Sequence, residues 1–134
     1  MRKGKHLRRG SAMIEDALAM MVFAVLVAGI MELGFTGLVA NTVSFAAQRA
    51  ARYASVRGST SGHVAGASDV QATAVQYATP LNSSALTVTV TWAPNNNPGS
   101  TVKVQVAFAL LPSLMPIARS GLTLKATACQ TIVQ

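Results

Sequence analysis

The longest uninterrupted apolar run in the chain spans Ala17 to Ala40, 24 residues in which Glu32 is the single charge. About 20 apolar residues suffice to cross a bilayer as a helix, so this run predicts one membrane span. A secretory signal peptide has an apolar core of only ~7–15 residues followed by a small-x-small cleavage site. Here the core is longer, and Leu38-Val39-Ala40 places a bulky Leu where a small residue is needed. Helical spacing continues past Ala40: Val43, Ala46, Ala47, Ala50, Ala51 and Ala54 recur at intervals of three and four, with Gln48, Arg49 and Arg52 largely between them. Arg57 followed by Gly58 is a helix stop, a cation at the negative end and then the residue best suited to a left-handed cap. The pattern therefore predicts one helix from Ser11 to Arg57, its first half in lipid or a fibre core and its second half a stalk.

Periodicity changes beyond the helix. Gly58 to Ala67 is rich in small and polar residues and reads as a loop. Ser68-Asp69-Val70-Gln71 matches a capping box, with Ser68 as cap and Gln71 reaching back, which predicts a helix over Asp69–Ala78 with Val70, Ala74 and Tyr77 turned to the core. Thr79-Pro80 ends it. Leu86, Val88, Val90 and Trp92 then alternate with Thr87, Thr89 and Thr91, and Val102, Val104, Val106 and Phe108 alternate with Lys103, Gln105 and Ala107. Period two marks strands with one apolar face, and the Asn95–Ser100 turn between them makes a hairpin. A third strand from Leu122 to Val133 places Leu122, Leu124, Ala126 and Ala128 on one face. The fold class is α+β: a long N-terminal transmembrane and stalk helix, then a small domain with a short helix and an antiparallel sheet of about three strands. The expected divisions are 1–10, 11–57, 58–67 and 68–134. Leu110 to Ile117 is apolar but broken at Pro112 and Pro116, which suits either a loop over a sheet edge or a patch touching membrane or a partner subunit.

Charge changes the picture at the N-terminus. The formal charge of the 134-residue chain is +7, but five of its eleven basic residues (Arg2, Lys3, Lys5, Arg8, Arg9) precede Gly10. The remaining six basic residues stand against four acidic ones (Glu15, Asp16, Glu32, Asp69), a net of +2. Lys and Arg clustered at one end of a span hold that end in the cytoplasm, so the asymmetry speaks for membrane orientation and against nucleic acid. Glu32 lies about 30 Å along the helix from Ser11, near the far headgroups; it reads either as an interfacial carboxylate or as a contact between subunits. Cys129 has no second cysteine to pair with and reads as a small buried apolar residue on a strand.

Candidate chemistry is sparse. His6 and His63 lack a Cys, His or carboxylate at metal-ligand spacing. No nucleophile motif accompanies His63 and Asp69. Glu15 and Asp16 are adjacent, so on a helix their side chains diverge by ~100° and do not share a substrate. The Asn95–Asn97 run lacks the carboxylates of a calcium loop. No metal, cofactor or catalytic role is expected.

The junction at Gly10 draws these observations together. A short basic leader, a glycine, and a carboxylate five residues later at the mouth of an apolar helix resemble a type IV pilin-like precursor. More specifically, Arg9-Gly10-Ser11-Ala12-Met13-Ile14-Glu15, Ile30-Met31-Glu32-Leu33-Gly34, Ala47-Gln48-Arg49-Ala50-Ala51-Arg52-Tyr53-Ala54 and Leu122-Thr123-Leu124-Lys125-Ala126-Thr127-Ala128 resemble the TadE family. Its members are pseudopilins or minor pilins of the tight-adherence (Tad/Flp) system in bacteria. The resemblance implies cleavage after Gly10 by a prepilin peptidase, Ser11 as the new N-terminus, and Glu15 as the carboxylate needed for processing or assembly. In a fibre, the Ser11 ammonium of one subunit would pair with Glu15 of its neighbour, where an unpaired charge would be costly. Asp16 departs from the family pattern, which commonly has a large apolar or aromatic residue there; Asp16 and Glu32 are possible subunit contacts. The implied partners are the peptidase, other pilin or pseudopilin subunits met through the N-terminal helix, the inner membrane and the Tad assembly platform. The implied location is the bacterial inner membrane, single-pass with the N-terminus cytoplasmic, and after processing the periplasm or cell-surface pilus. The rival reading is an uncleaved, signal-anchored protein presenting a small extracytoplasmic binding domain.

Overall fold

Alanine at every third or fourth position gives a helix a flat, narrow face, and valine at every second position gives a strand a flat apolar one; the centre of this fold is where the two meet. A computed structural model of the chain describes residues 5–79, 81–110 and 121–133, and for residues 5–10 the backbone alone. Its elements are helix α1 (Lys5–Ser55), helix α2 (Ala67–Tyr77), one 3₁₀ turn (Ser83–Ala85), and strands β1 (Leu86–Ala93), β2 (Thr101–Leu110) and β3 (Leu122–Thr131). The chain is α+β, as its periodicities predict. It divides into two compact units, one ending at Thr36 and the other beginning at Gly37.

In the first unit α1 is long and apolar enough to cross a membrane. Nothing within the unit covers its side chains: Ile14 is 72 % exposed, and Leu18, Phe23 and Leu26 are each more than half exposed.

In the second unit the remainder of α1 is a wall of the core rather than a bare stalk. Val39, Val43, Ala46, Ala47, Ala50, Ala51 and Ala54 are all buried, joining Val70 and Ala74 of α2 and the inward row of β2. Within this core Val102, Val104 and Val106 of β2 are completely buried. Full burial of each valine contributes roughly 1.5–3 kcal/mol.

The sheet is an antiparallel meander in the order β1-β2-β3, which puts β2 in the middle. Register aligns Val90 with Val104 and Val104 with Ala128, so the apolar residues of all three strands share one face. The hairpin turn is built by Asn95, whose Oδ1 accepts from the Asn97 amide at 3.1 Å and the Ser100 hydroxyl at 2.7 Å. Gly99 supplies the left-handed residue of that turn, with φ of +86°. Ser59 ties the preceding loop to it, donating its hydroxyl to Asn97 Oδ1 and its amide to the Asn96 carbonyl. The Val133 amide donates to the Ser55 carbonyl at 2.9 Å, fastening the chain beyond β3 to the end of α1.

Local predictions shift in three places. First, α2 starts at Ala67 with Gly66 as its cap, and Asp69 Oδ2 accepts the Gly66 amide at 3.1 Å. The reciprocal carboxylate is thus Asp69 rather than Gln71, and Ser68 lies inside the helix. Gln71 instead donates to the Val88 carbonyl at 3.2 Å, fixing α2 against β1. Second, α1 ends at Ser55, where the Ser55 hydroxyl and the Val56 amide both go to the Arg52 carbonyl. Gly58 is not a left-handed cap, because Gly99 is the one glycine with positive φ among the described residues. Third, Tyr77 is 42 % exposed and lies beside Phe45 instead of in the core. The proline-broken segment after Leu110 lies outside the described residues.

Val104→Ala should lower stability by about 2 kcal/mol, from lost transfer energy and the cavity left behind, whereas Thr89→Ala on the opposite face should stay within about 0.5 kcal/mol. Thermal unfolding of the detergent-solubilised chain followed by circular dichroism checks this, with a drop of roughly 10 °C expected for Val104→Ala alone.

Candidate functional site

The expected processing and assembly residues lie on α1, whose backbone runs as helix through Gly10 and Ser11. Ser11, Glu15 and Asp16 are exposed. Ser11 and Glu15 are one turn apart and so on neighbouring surface. Glu15 shares a shallow surface groove with Leu18, Ala19, Val22, Phe23 and Leu26, spacings of three, four, seven, eight and eleven residues. It is the charged member of an apolar stripe. Asp16 does not line that groove; one residue on, its direction is rotated by ~100°. A helix packed on this stripe would bury Glu15, and a buried carboxylate is strongly destabilising unless a cation meets it. The geometry therefore separates two carboxylates that are adjacent in sequence. Glu32 is half-buried against its own helix, and its carbonyl accepts the Thr36 hydroxyl at 2.9 Å.

A second group of side chains, which the apolar pattern does not single out, lies on the outer face of α1 in the second unit. The Arg49 guanidinium sits 4.9 Å from the Phe45 ring centre and 5.8 Å from that of Tyr77. Those two rings meet edge to face at 5.9 Å. Arg57 stacks over Tyr53 at 4.1 Å. Such cation–π contacts contribute about 0.5–1 kcal/mol each at exposed sites, and the one between Arg49 and Tyr77 links α1 to α2. Grooves of about 320 and 300 Å³ flank the Arg49–Arg52 pair, one reaching Gln48 and Gln130, the other Thr73 and Gln76. Among the described residues no ion pair neutralises either arginine. The sequence signal was present as Arg placed four residues after an aromatic, in Phe45/Arg49 and Tyr53/Arg57.

The outer face of the sheet is a polar grid. Cross-strand rows read Thr87-Ala107-Lys125, Thr89-Gln105-Thr127 and Thr91-Lys103-Cys129. Cys129 is on a strand as expected but exposed, not buried. The reason is parity, because Leu124, Ala126 and Ala128 turn inward and position 129 must turn out. His63 is exposed in the loop before α2, and Asp69 is occupied in capping. Among the described residues no group of three His, Cys, Asp or Glu is placed to hold a metal.

Residues 10–52 match the family model described as TadE-like protein. This bears out the resemblance over residues 10–52, the stretch that carries Gly10, Glu15, Glu32 and the arginine pair, and is consistent with a protein of the Tad pilus system whose apolar helix is long enough to cross a membrane. No curated protein and no solved structure matches the chain.

The exposure of Cys129 has a direct readout. Its thiol should react stoichiometrically with a maleimide in the folded, detergent-solubilised chain, at a rate within about threefold of that in denaturant, because the exposed side chain leaves the reagent free access to it. Mass spectrometry of the labelled protein measures it.

Proposed function

Proceeding from a TadE-like N-terminal helix, we propose that the chain is a minor pilin or pseudopilin of the Tad/Flp system, a structural subunit rather than an enzyme. It is made as a precursor whose residues 1–10 are removed by a prepilin peptidase after Gly10, leaving Ser11 as the mature N-terminus. The precursor sits in the inner membrane, N-terminus in the cytoplasm and the small α+β domain outside. After processing it joins other pilin or pseudopilin subunits at the Tad assembly platform and takes part in pilus assembly and adhesion. The observation that carries this reading is the exposed apolar helix whose one charged stripe member is Glu15. Such a surface needs lipid before assembly and other helices after it. Once helices replace lipid, the Ser11 ammonium of a neighbour is the cation that Glu15 requires. Asp16, pointing off the stripe, assists at the rim of that contact.

Intact-mass measurement and N-terminal sequencing of protein made with and without a prepilin peptidase test the reading. The mature chain should begin at Ser11 only when the peptidase is present, and Gly10→Val should leave the precursor intact. A chain that still begins at Met1 in both samples would favour the uncleaved, signal-anchored alternative. Glu15→Gln should lower recovery in assembled material by roughly tenfold or more, since loss of a buried partner strands the other charge. Asp16→Asn should lower it by no more than about threefold, as expected of an exposed charge.

A further inference from the structure

We propose that the arginine-bearing outer face of α1 receives the Glu32 carboxylate of a second copy of this chain; the contact rests on the pilus-subunit reading and names the partner within it. Once residues 1–10 are removed, charge is segregated between the two units. Between Ser11 and Thr36 the chain has three acidic residues (Glu15, Asp16, Glu32) and no Lys or Arg. From Gly37 onward it has six basic residues (Arg49, Arg52, Arg57, Lys103, Arg119, Lys125) and only Asp69 as an acid. Like units repel, whereas the first unit of one copy and the second unit of another attract. Such a contact uses different surfaces on its two sides, and contacts of that kind propagate into filaments instead of closing as a pair.

The receiving surface is built for a charged residue on an apolar helix. Phe45 and Val56, each 45 % exposed, and Tyr77 at 42 % give apolar flanks to the arginine pair. Arg49 is held in place by its two rings, so little side-chain freedom is lost when a carboxylate arrives. Arg52 adds a second guanidinium one turn on, and paired guanidinium–carboxylate hydrogen bonds are among the strongest available to side chains. The donating surface has an apolar flank of its own, because Phe35, three residues on and so on the same side of the helix as Glu32, is more than half exposed. Among the four acids, Asp69 is tied to the Gly66 amide, and Glu15 and Asp16 lie at the Ser11 end. Glu32 is the carboxylate left to meet the arginines.

The test uses full-length chain in cells that hold the matching pilus machinery. Two differently tagged copies, both Cys129→Ser, are co-expressed, one bearing Phe35→Cys, one turn from Glu32, and the other Gln48→Cys, beside Arg49 and Arg52, and treated with a short bifunctional maleimide. A heterodimer of the two copies at least about tenfold above a control pairing Phe35→Cys with Thr89→Cys on the outer sheet face is expected. Arg52→Glu alone should lower recovery in assembled material about tenfold, and Glu32→Arg in the same chain should restore most of it. A heterodimer no stronger than the control, attachment of Phe35→Cys to a different protein, to lipid or to polysaccharide, or a reversal without rescue overturns the contact. If these failures occur while Ser11 remains the mature N-terminus, the subunit reading stands and the contact alone falls. If Met1 is retained, the subunit reading falls and the contact falls with it.

Discussion

The contact between the alanine face of α1 and the valine row of β2 is the constraint on which the second unit depends. A small domain of this size has little interior, and an antiparallel sheet of three strands cannot hide its apolar face by itself. A helix with bulky residues would stand off the sheet and leave Val102, Val104 and Val106 in contact with water. Ala47, Ala50, Ala51 and Ala54 instead share one buried cluster with that valine row. The other details of the unit close its margins. Gln71 fastens α2 to β1, Val133 fastens the chain beyond β3 to Ser55, and Ser59 fastens the loop to the hairpin turn.

The same helix is used for two purposes, and side-chain size separates them. Up to Thr36 it presents Met, Leu, Ile and Phe outward on every side, without cover in its own unit. From Val39 it narrows to a stripe of valine and alanine that the domain covers. A wide apolar surface suits lipid or a bundle of similar helices, whereas a narrow stripe suits a single sheet. The TadE-like match, over residues 10–52, spans both stretches.

Two side chains were not distinguishable by composition and became so by geometry. Glu15 and Asp16 have the same charge and adjacent positions, yet only Glu15 lies in the groove of Leu18, Val22 and Leu26. The helical repeat makes the difference, and it assigns the electrostatic demand of close packing to Glu15. Arg49 is a comparable case. Its neighbour Phe45 is legible as an (i, i+4) pair, but Tyr77, the ring that completes the enclosure, comes from α2.

The membrane-length helix, the three strands and their inward faces were legible from sequence, because periods of 3.6 and 2 are local properties of the backbone. Leu124, Ala126 and Ala128 even contained the answer for Cys129, since parity places it outward. Local chemistry misled where two nearby residues could do one job. Asp69 and Gln71 can both serve a helix N-terminus, and the nearness of β1 to α2 drew Gln71 to the Val88 carbonyl. Arg57-Gly58 is a sound stop signal in isolation, but the helix ends at Ser55, where the Ser55 carbonyl accepts the Val133 amide from beyond β3. Sequence by itself thus determined which elements form and which face of each is apolar. Tertiary structure alone decided that the later half of α1 is a wall of the core, and that Arg49 meets the Tyr77 ring as well as that of Phe45, because both depend on contacts between residues far apart in the chain.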